Sequence, residues 1–526
     1  MAPDRPRPEV IAGQRLTLAD VVRVARAARV RLDPDGLERA RASHALIMRL
    51  AASGAPLYGV TTGSGANRTI RIPPEELGAF QVHLVTSHCV GVGPPLPADV
   101  VRALMLVRAH GIAAGATGAH PAVAQLLVDL LNAGIHPIVP SQGSVGMADL
   151  APMAHAALPL LGFGEVEHHG RRLPAREALA EAGLAPISLG PKDGLTLTSS
   201  NAASVGMGIL VAADVRRLLA HADVAAALSL EGFSGNTSPL DPRAVEARPY
   251  SGHIAVARRV RALLQGSVLW DATNAGSVQD PLSFRCFPPV HGVSQDALCA
   301  VEETLAVELN APGDNPLVVP EDEAVISNGN FHSGRLALHF DALALALCQQ
   351  ATMAANRIMR LMSPHHTSFP RYLTPRPGIN CGFATLQKTF VGLVAEVRHL
   401  ANPGSLDALP LAEGVEDHAA MTLLTIGKVG QIVERLQYVL ACELLAAAQA
   451  VDLLGGPGNP ARSVARLGDG TRAAYEAVRE VAGFLGEDRI LAPEVERVRD
   501  LVSSGELLAR VDAVVPTGCR DVGGRS

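Results

Sequence analysis

The strongest constraint on the fold is a helical run too apolar to lie at a surface. From Gly334 to Met362 no proline and no second glycine interrupts the chain. As one helix this stretch spans about 43 Å. Within it, Leu343-Ala344-Leu345-Ala346-Leu347 is apolar on every side. A helix without a polar face must be enclosed by other helices or by another copy of the chain. The same periodicity predicts long helices over about 202–231, 291–310, 383–401 and 417–454. Apolar residues make up 48% of the chain and aromatics only 3%. The core must therefore be built of Ala, Leu and Val, which favour closely packed helices. The expected class is mainly α, with a long central helical bundle. Three consecutive regions are expected: 1–200, 201–460 with the long helices, and 461–526 with two amphipathic helices and a polar end.

Shorter helices are expected over 18–28, 34–50, 75–89, 97–115 and 121–134, the last closed by Gly134 before Pro137. The polar insert Glu167–Arg172 reads as a hairpin or surface loop. The 526 residues carry a net charge of −6, which gives no reason to expect nucleic acid or an acidic membrane as partner. Asp341, Glu443 and Asp452 interrupt the longest apolar helices, so none is expected to span a membrane. The seven cysteines, at 89, 286, 299, 348, 381, 442 and 519, include no CxxC pair, and free thiols in a reducing compartment are the simpler expectation. Met1–Pro8 is polar and proline-rich, unlike a secretory signal. A soluble cytoplasmic protein is expected. His168-His169 and His365-His366 lack a third spaced ligand, so no metal is expected. Gly455-Gly456-Pro457-Gly458 reads as a helix stop, since it lacks the lysine of a phosphate cradle.

Several segments carry more specific information. Tyr58-Gly59-Val60-Thr61-Thr62-Gly63 is a tyrosine inside a glycine-rich loop, where glycine permits positive φ and movement. Ser87-His88 precedes Gly91-Val92-Gly93. Gln142-Gly143-Ser144-Val145-Gly146 runs into Met147-Ala148 and then Asp149-Leu150-Ala151-Pro152. Further on come Gln279-Asp280-Pro281-Leu282-Ser283-Phe284-Arg285, Gly313-Asp314-Asn315-Pro316, Gly329-Asn330-Phe331-His332 and Glu416-Asp417-His418. In this order the segments resemble the histidine and aromatic amino acid ammonia-lyases, from about residue 55 to about 455. The resemblance implies a homotetramer whose active sites draw on more than one subunit, and a small-molecule substrate. It implies Tyr58 as the base, Arg285 as the carboxylate anchor, and Gln279, Asn315 and Phe331 as lining residues. His88 and Glu416 match positions that face an imidazole in the histidine-acting members. A free tyrosine titrates near pH 10, so a base role asks for positive neighbours.

In that family the loop between the glycine-serine-valine-glycine and aspartate-leucine-alanine-proline frames holds Ala-Ser-Gly, which cyclises into methylideneimidazolone. Here Met147-Ala148 stands between the frames, followed by Asp149. Ala148 has no hydroxyl to lose, Asp149 is not a bare glycine nitrogen, and the loop is one residue short. Ser199, Ser200, Leu282, Val415 and His120 also depart from the family pattern. From these departures we expect no prosthetic group. The matching functional expectation is an ammonia-lyase-like enzyme that works without one, by elimination, isomerisation or cyclisation of a small, polar or imidazole-like carboxylate. Ser199 is then expected among the substrate-binding residues. One alternative is a non-catalytic binding or partner subunit. A second is a conventional histidine or aromatic ammonia-lyase.

Overall fold

The computed structural model describes residues 9–407, 409–455 and 460–515. The proline-rich start, most of the glycine-rich stop at 455–458, Cys519 and the polar end of the tail lie outside the described residues. The chain is mainly α, as expected. It divides into two compact units that interleave along the sequence. The first comprises Met1–Ala212, Val301–Phe340 and Pro403–Gly427; the second comprises Ala213–Ala300, Asp341–Asn402 and Lys428–Ser526. This division differs from the consecutive one expected from the change to long-helix periodicity.

In the first unit, the helix Ala98–Ala113 is buried almost all round, with Leu104, Met105, Leu106 and Ala109 fully enclosed. It packs on the helices Leu18–Ala25 and Pro121–Ala133. Local chemistry sets the helix ends. The Asp33 carboxylate accepts from Gly36 N at 3.1 Å and Pro34 opens the helix Pro34–Ala52, a combination suited to orphan N-terminal amides. His120 Nδ1 accepts from Ala122 N at 3.1 Å, and Gly134 at φ 70° closes the helix Pro121–Ala133. Short strands complete this unit. Val10–Ala12 runs parallel to Val30–Leu32. Ile135–Pro137 pairs antiparallel with Glu165–His168, which pairs with Arg171–Pro174. The polar insert is therefore a hairpin, turned by His169 and Gly170 at positive φ. Its first histidine, His168, is turned inward and buried rather than exposed.

The second unit takes most of the length of the long helices. Among the long helices are Ala202–Phe233, Phe287–Asn310, Gly334–Leu361, Leu386–Leu400 and Thr422–Leu454. The last begins five residues later than the periodicity suggested, because Met421 sits at φ 54°. The charges that interrupt the apolar runs in this unit are paired. Arg357 and Glu443 are both fully buried and bonded at 2.5 and 3.0 Å, and Ser229 Oγ donates to Glu443 at 2.9 Å. Asp452 accepts from Arg479 Nη2 at 2.6 Å and from the Tyr475 hydroxyl. Among its described residues the tail carries three amphipathic helices of eight residues or more, Asp469–Val481, Ala492–Ser504 and Glu506–Val514. The expected second one is broken by Gly505 at φ 81°. Two runs, Asp193–Phe233 and Thr422–Leu454, are long and apolar enough to cross a membrane by length and composition, and 78% and 83% of those windows is buried inside the fold.

Candidate active site

The tyrosine loop is shaped by the cluster beneath it. Leu57 and Val60 are buried with Leu46, Ile47 and Val318, so the residues on both sides of Tyr58 are anchored. Tyr58 itself stays half-buried. The amides of Val60, Thr61 and Thr62 all donate to the Leu57 carbonyl at 3.0–3.1 Å. Thr61 Oγ1 accepts from Leu57 N at 2.8 Å and donates to the Ala55 carbonyl at 2.5 Å. Gly59 sits at φ 65°, and a Cβ there would lie 2.7 Å from Leu195 Cδ2. The loop is stapled more tightly than its glycine content suggested. The Tyr58 hydroxyl oxygen accepts from Gly65 N at 2.9 Å.

Tyr58 opens onto a cavity of about 810 Å³ whose walls all belong to the first unit. His88, Met147, Ser199, Asn315, Phe331 and Glu416 line it with Tyr58. Seven of the expected site residues are thus brought together from segments spread over more than 350 positions. Ala148 and Asp149 are buried behind the wall. Gln279 and Arg285 belong to the second unit and are not among the lining residues. Gln279 is exposed, and Arg285 is half-buried in the last turn of the short helix Leu282–Arg285.

The cavity also holds polar groups that the motifs did not single out. Arg68 supplies a cation in the same enclosure as Tyr58. His332 Nδ1 accepts from Gly334 N at 3.3 Å, so its Nε2 carries the hydrogen toward His418 Nδ1, 2.9 Å away. Asn328 ties two walls together: its N donates to Asn315 Oδ1 at 3.0 Å and its Nδ2 to the Asp314 carbonyl at 3.0 Å. With Oδ1 engaged, Asn315 is left with its amide N–H groups as donors. Asp314 is held in turn by Arg108 through bonds of 2.9 and 3.3 Å, both side chains being about 5% exposed or less. Lys192, fully buried, donates to the Thr117 carbonyl. Burial lowers its pKa to about 8, with Asp314 opposing that shift and Arg108 adding to it. Lys192 opens the helix Asp193–Thr198, whose end presents Ser199.

The loop 143–149 is fixed from both sides. Gly146, at φ 77°, leaves no room for a Cβ, which would stand 2.8 Å from Thr422 N and 2.9 Å from Met421 N. Met421 N donates to the Val145 carbonyl at 2.8 Å, and Met147 bridges to His332. The Asp149 carboxylate accepts from Ser144 Oγ, Ser204 Oγ and Ser204 N at 2.7–3.0 Å. Complete burial nonetheless raises its pKa to about 6, since the hydrogen bonds only partly offset desolvation. A methylideneimidazolone closed from Ala-Ser-Gly does not fit the residues at this loop. Ala148 has no hydroxyl, and Asp149 N is committed to the Ser200 carbonyl at 2.9 Å.

The profile of the aromatic amino acid lyase family matches residues 16–480. A histidine ammonia-lyase of Symbiobacterium thermophilum is 41% identical over 504 residues, 95% of this chain and 98% of the relative. Among solved structures, the ergothioneine-degrading ergothionase of Treponema denticola, in complex with desmethyl-ergothioneine sulfonic acid, is 34% identical with a TM-score of 0.91, covering 95% of this chain and 100% of that one. The histidine ammonia-lyase of Trypanosoma cruzi is 32% identical with a TM-score of 0.88, covering 98% and 97%. These matches correct two expectations. An enzyme outside conventional ammonia-lyase chemistry, and a chain of a kind that dispenses with the prosthetic group, were both inferred from a few residues around one loop. Relatives matched over nearly the whole length are histidine ammonia-lyases, the class whose loop carries methylideneimidazolone, and a few loop positions weigh little against that. The chain is an enzyme, a lyase, and it belongs to the aromatic amino acid lyase family.

Proposed function

We propose that this lyase is a histidine ammonia-lyase, removing ammonia from histidine to leave a conjugated imidazole acid. The observation that carries the reading is the joint placement of Tyr58, His88 and Glu416 on one cavity, in a chain so similar to histidine ammonia-lyases. The reaction breaks Cβ–H and Cα–N and forms the Cα–Cβ double bond. The Tyr58 oxygen takes the β-proton, and the C–N electron pair leaves with nitrogen. Glu416 and His88 suit the two ends of an imidazole, one as acceptor and one as partner to the second ring nitrogen. The Asn315 amide donors suit the carboxylate. Arg285 and Gln279 complete the carboxylate grip in a cytoplasmic homotetramer whose sites are shared between subunits, a further part of the proposal. Proton transfer to a placed base contributes about 10²–10⁴-fold. Purified full-length protein supplied with L-histidine is expected to release ammonia and a conjugated product in equal amounts, and Tyr58→Phe to lose about 10²–10⁴-fold of that rate. Absence of ammonia release from histidine sinks the reading.

One observation favours a second reading, the 0.91 TM-score to ergothionase. Ergothioneine is the trimethylammonium betaine of a thiolated histidine. Its amine departs as neutral trimethylamine, an easier leaving group than ammonia. The same proton transfer to Tyr58 and the same imidazole contacts apply. Release of trimethylamine from ergothioneine, with none of ammonia from histidine, selects this substrate.

A further inference from the structure

Gln81 does not line the cavity, yet it is fully buried on the helix Leu77–Ser87. Its amide is used in both directions. Nε2 donates to the Gly59 carbonyl at 2.9 Å, and Oε1 accepts from Leu195 N at 3.0 Å. Because a carbonyl sits on one side and an N–H on the other, the orientation of the amide is settled by its partners. Gly59 directly follows Tyr58. Leu195 lies in the first turn of the helix Asp193–Thr198, which ends at Ser199. The packing leaves little slack around the bridge. A Cβ on Gly194 would lie 2.1 Å from the Gln81 carbonyl oxygen, and one on Gly59 would lie 2.7 Å from Leu195 Cδ2. Three segments interlock at this point, and all three wall the cavity, the helix Leu77–Ser87 through Leu84.

We propose that Gln81 is the positioning residue for Tyr58. It joins the tyrosine loop to the helix Asp193–Thr198 and so sets the phenol's distance from whatever is bound between Tyr58 and Ser199. The remaining bonds of these two residues stay within their own loop, Gly59 N donating to the Gly63 carbonyl and Gly65 N to the Tyr58 hydroxyl. The catalytic consequence rests on Tyr58 being the proton acceptor; the geometric part does not. Removing the amide strands a buried carbonyl and a buried N–H at once. The loop then settles at a different height, while the residues that bind substrate stay in place. A displacement of about 1 Å at a reacting group costs on the order of 10²-fold in rate.

The test uses Gln81→Met, which keeps length and loses both bonds, and Gln81→Glu, which keeps an acceptor for Leu195 N. Gln81→Met is expected to lower kcat by about 10²-fold with KM within about 2-fold of wild type. Amides of residues 57–65 should exchange faster with deuterium, while the helix Ala98–Ala113 keeps its protection. For Gln81→Glu, the ratio of its kcat to that of wild type should rise as pH falls, because a protonated carboxyl regains a donor for the Gly59 carbonyl. Should Gln81→Met not fold, the Gln81→Glu ratio and its exchange pattern decide. Wild-type exchange at 57–65 overturns the proposal, as does kcat and KM falling only in step with the folded fraction. If wild type turns over neither histidine nor ergothioneine, the functional reading fails alone and the exchange measurement still decides the positioning claim. If Tyr58→Phe loses activity while Gln81→Met retains it, the positioning claim fails alone.

Discussion

Asp314 pairs with buried Arg108 and, together with Asp193, supports the charge of buried Lys192, so replacing it with asparagine should expose how the cavity wall is held. The Asp314 carboxylate makes a two-point pair with Arg108, with 4% and 5% of the side chains exposed, and it supports the charge of fully buried Lys192. Removing one partner of such a pair costs about 3–5 kcal/mol, chiefly because the other charge is left uncompensated. Lys192 has a partial escape. Its pKa already stands at about 8, so shedding its proton at pH 7 costs only about 1.4 kcal/mol. Arg108 has none, since a guanidinium does not discharge. The expected loss for Asp314→Asn at pH 7 is therefore near the lower end, about 3 kcal/mol. The pH dependence follows from the same groups. Burial depresses the folded pKa of Lys192, so its neutral form contributes stability that is present at high pH and lost as pH falls through about 8. Without Asp314 that pKa drops further, so the gap between variant and wild type narrows at pH 9 relative to pH 7. Arg108→Met should cost less than Asp314→Asn, because Lys192 still partners the carboxylate and loses a repulsive neighbour. Urea titrations followed by circular dichroism at both pH values measure all three quantities. A loss below about 1 kcal/mol, or a larger loss for Arg108→Met, refutes the account. Asn328 holds the Asp314 backbone carbonyl and Asn315 Oδ1 together, so any backbone shift in Asp314→Asn carries to the cavity and kcat/KM should fall with stability.

Two further outcomes follow from local geometry. His110 is buried and its Nδ1 accepts from Gly13 N at 3.0 Å; burial pulls its pKa down to about 4. The neutral ring is therefore favoured in the fold, and the stability it contributes is full above pH 6.5 and lost as pH falls toward 4, a change of roughly 3 kcal/mol. Gly13 N needs only an acceptor, so His110→Gln should flatten the decline of the urea midpoint between pH 7 and pH 4.5, and an unchanged slope counts against the assignment. Gly146→Ala forces a left-handed residue at about 1–2 kcal/mol and drives its Cβ to 2.8 Å from Thr422 N. Thermal unfolding should shift downward with activity reduced at every temperature; wild-type behaviour in both would show that the loop gives way freely.

The bundle was readable because its signal is repeated. Every turn of Gly334–Leu361 restates the same apolar content, so the helix was placed to within one residue. Boundaries set by one backbone angle were less visible. Met421 at φ 54° delays the start of Thr422–Leu454, and Gly505 divides the end of the tail. Neither residue type demands that conformation by itself. The interleaving of the two units is also hidden from composition, since a unit boundary inside a uniform apolar helix leaves no trace in residue type.

The site shows the same division between what side chains announce and what contacts decide. Tyr58, His88, Asn315, Phe331 and Glu416, which the fold gathers on one cavity, stand out in the sequence because each lies in a short motif whose residue type is itself chemical. Arg68, His332 and His418 stand in or beside those motifs, but nothing in the spacing says that they turn to the cavity. Gln81 is harder still, because its role consists of two backbone partners 22 and 114 residues away. A buried amide is written in sequence as an ordinary helix glutamine; only the fold shows that both of its ends are in use. The weight given to the loop 147–149 failed for the converse reason. There the residue types are conspicuous, while the likeness to the class is spread along 504 aligned residues, few of which are conspicuous alone. A site is a property of the whole scaffold that holds it, so identity accumulated weakly along the chain outweighs a strong local departure when the reaction class is assigned.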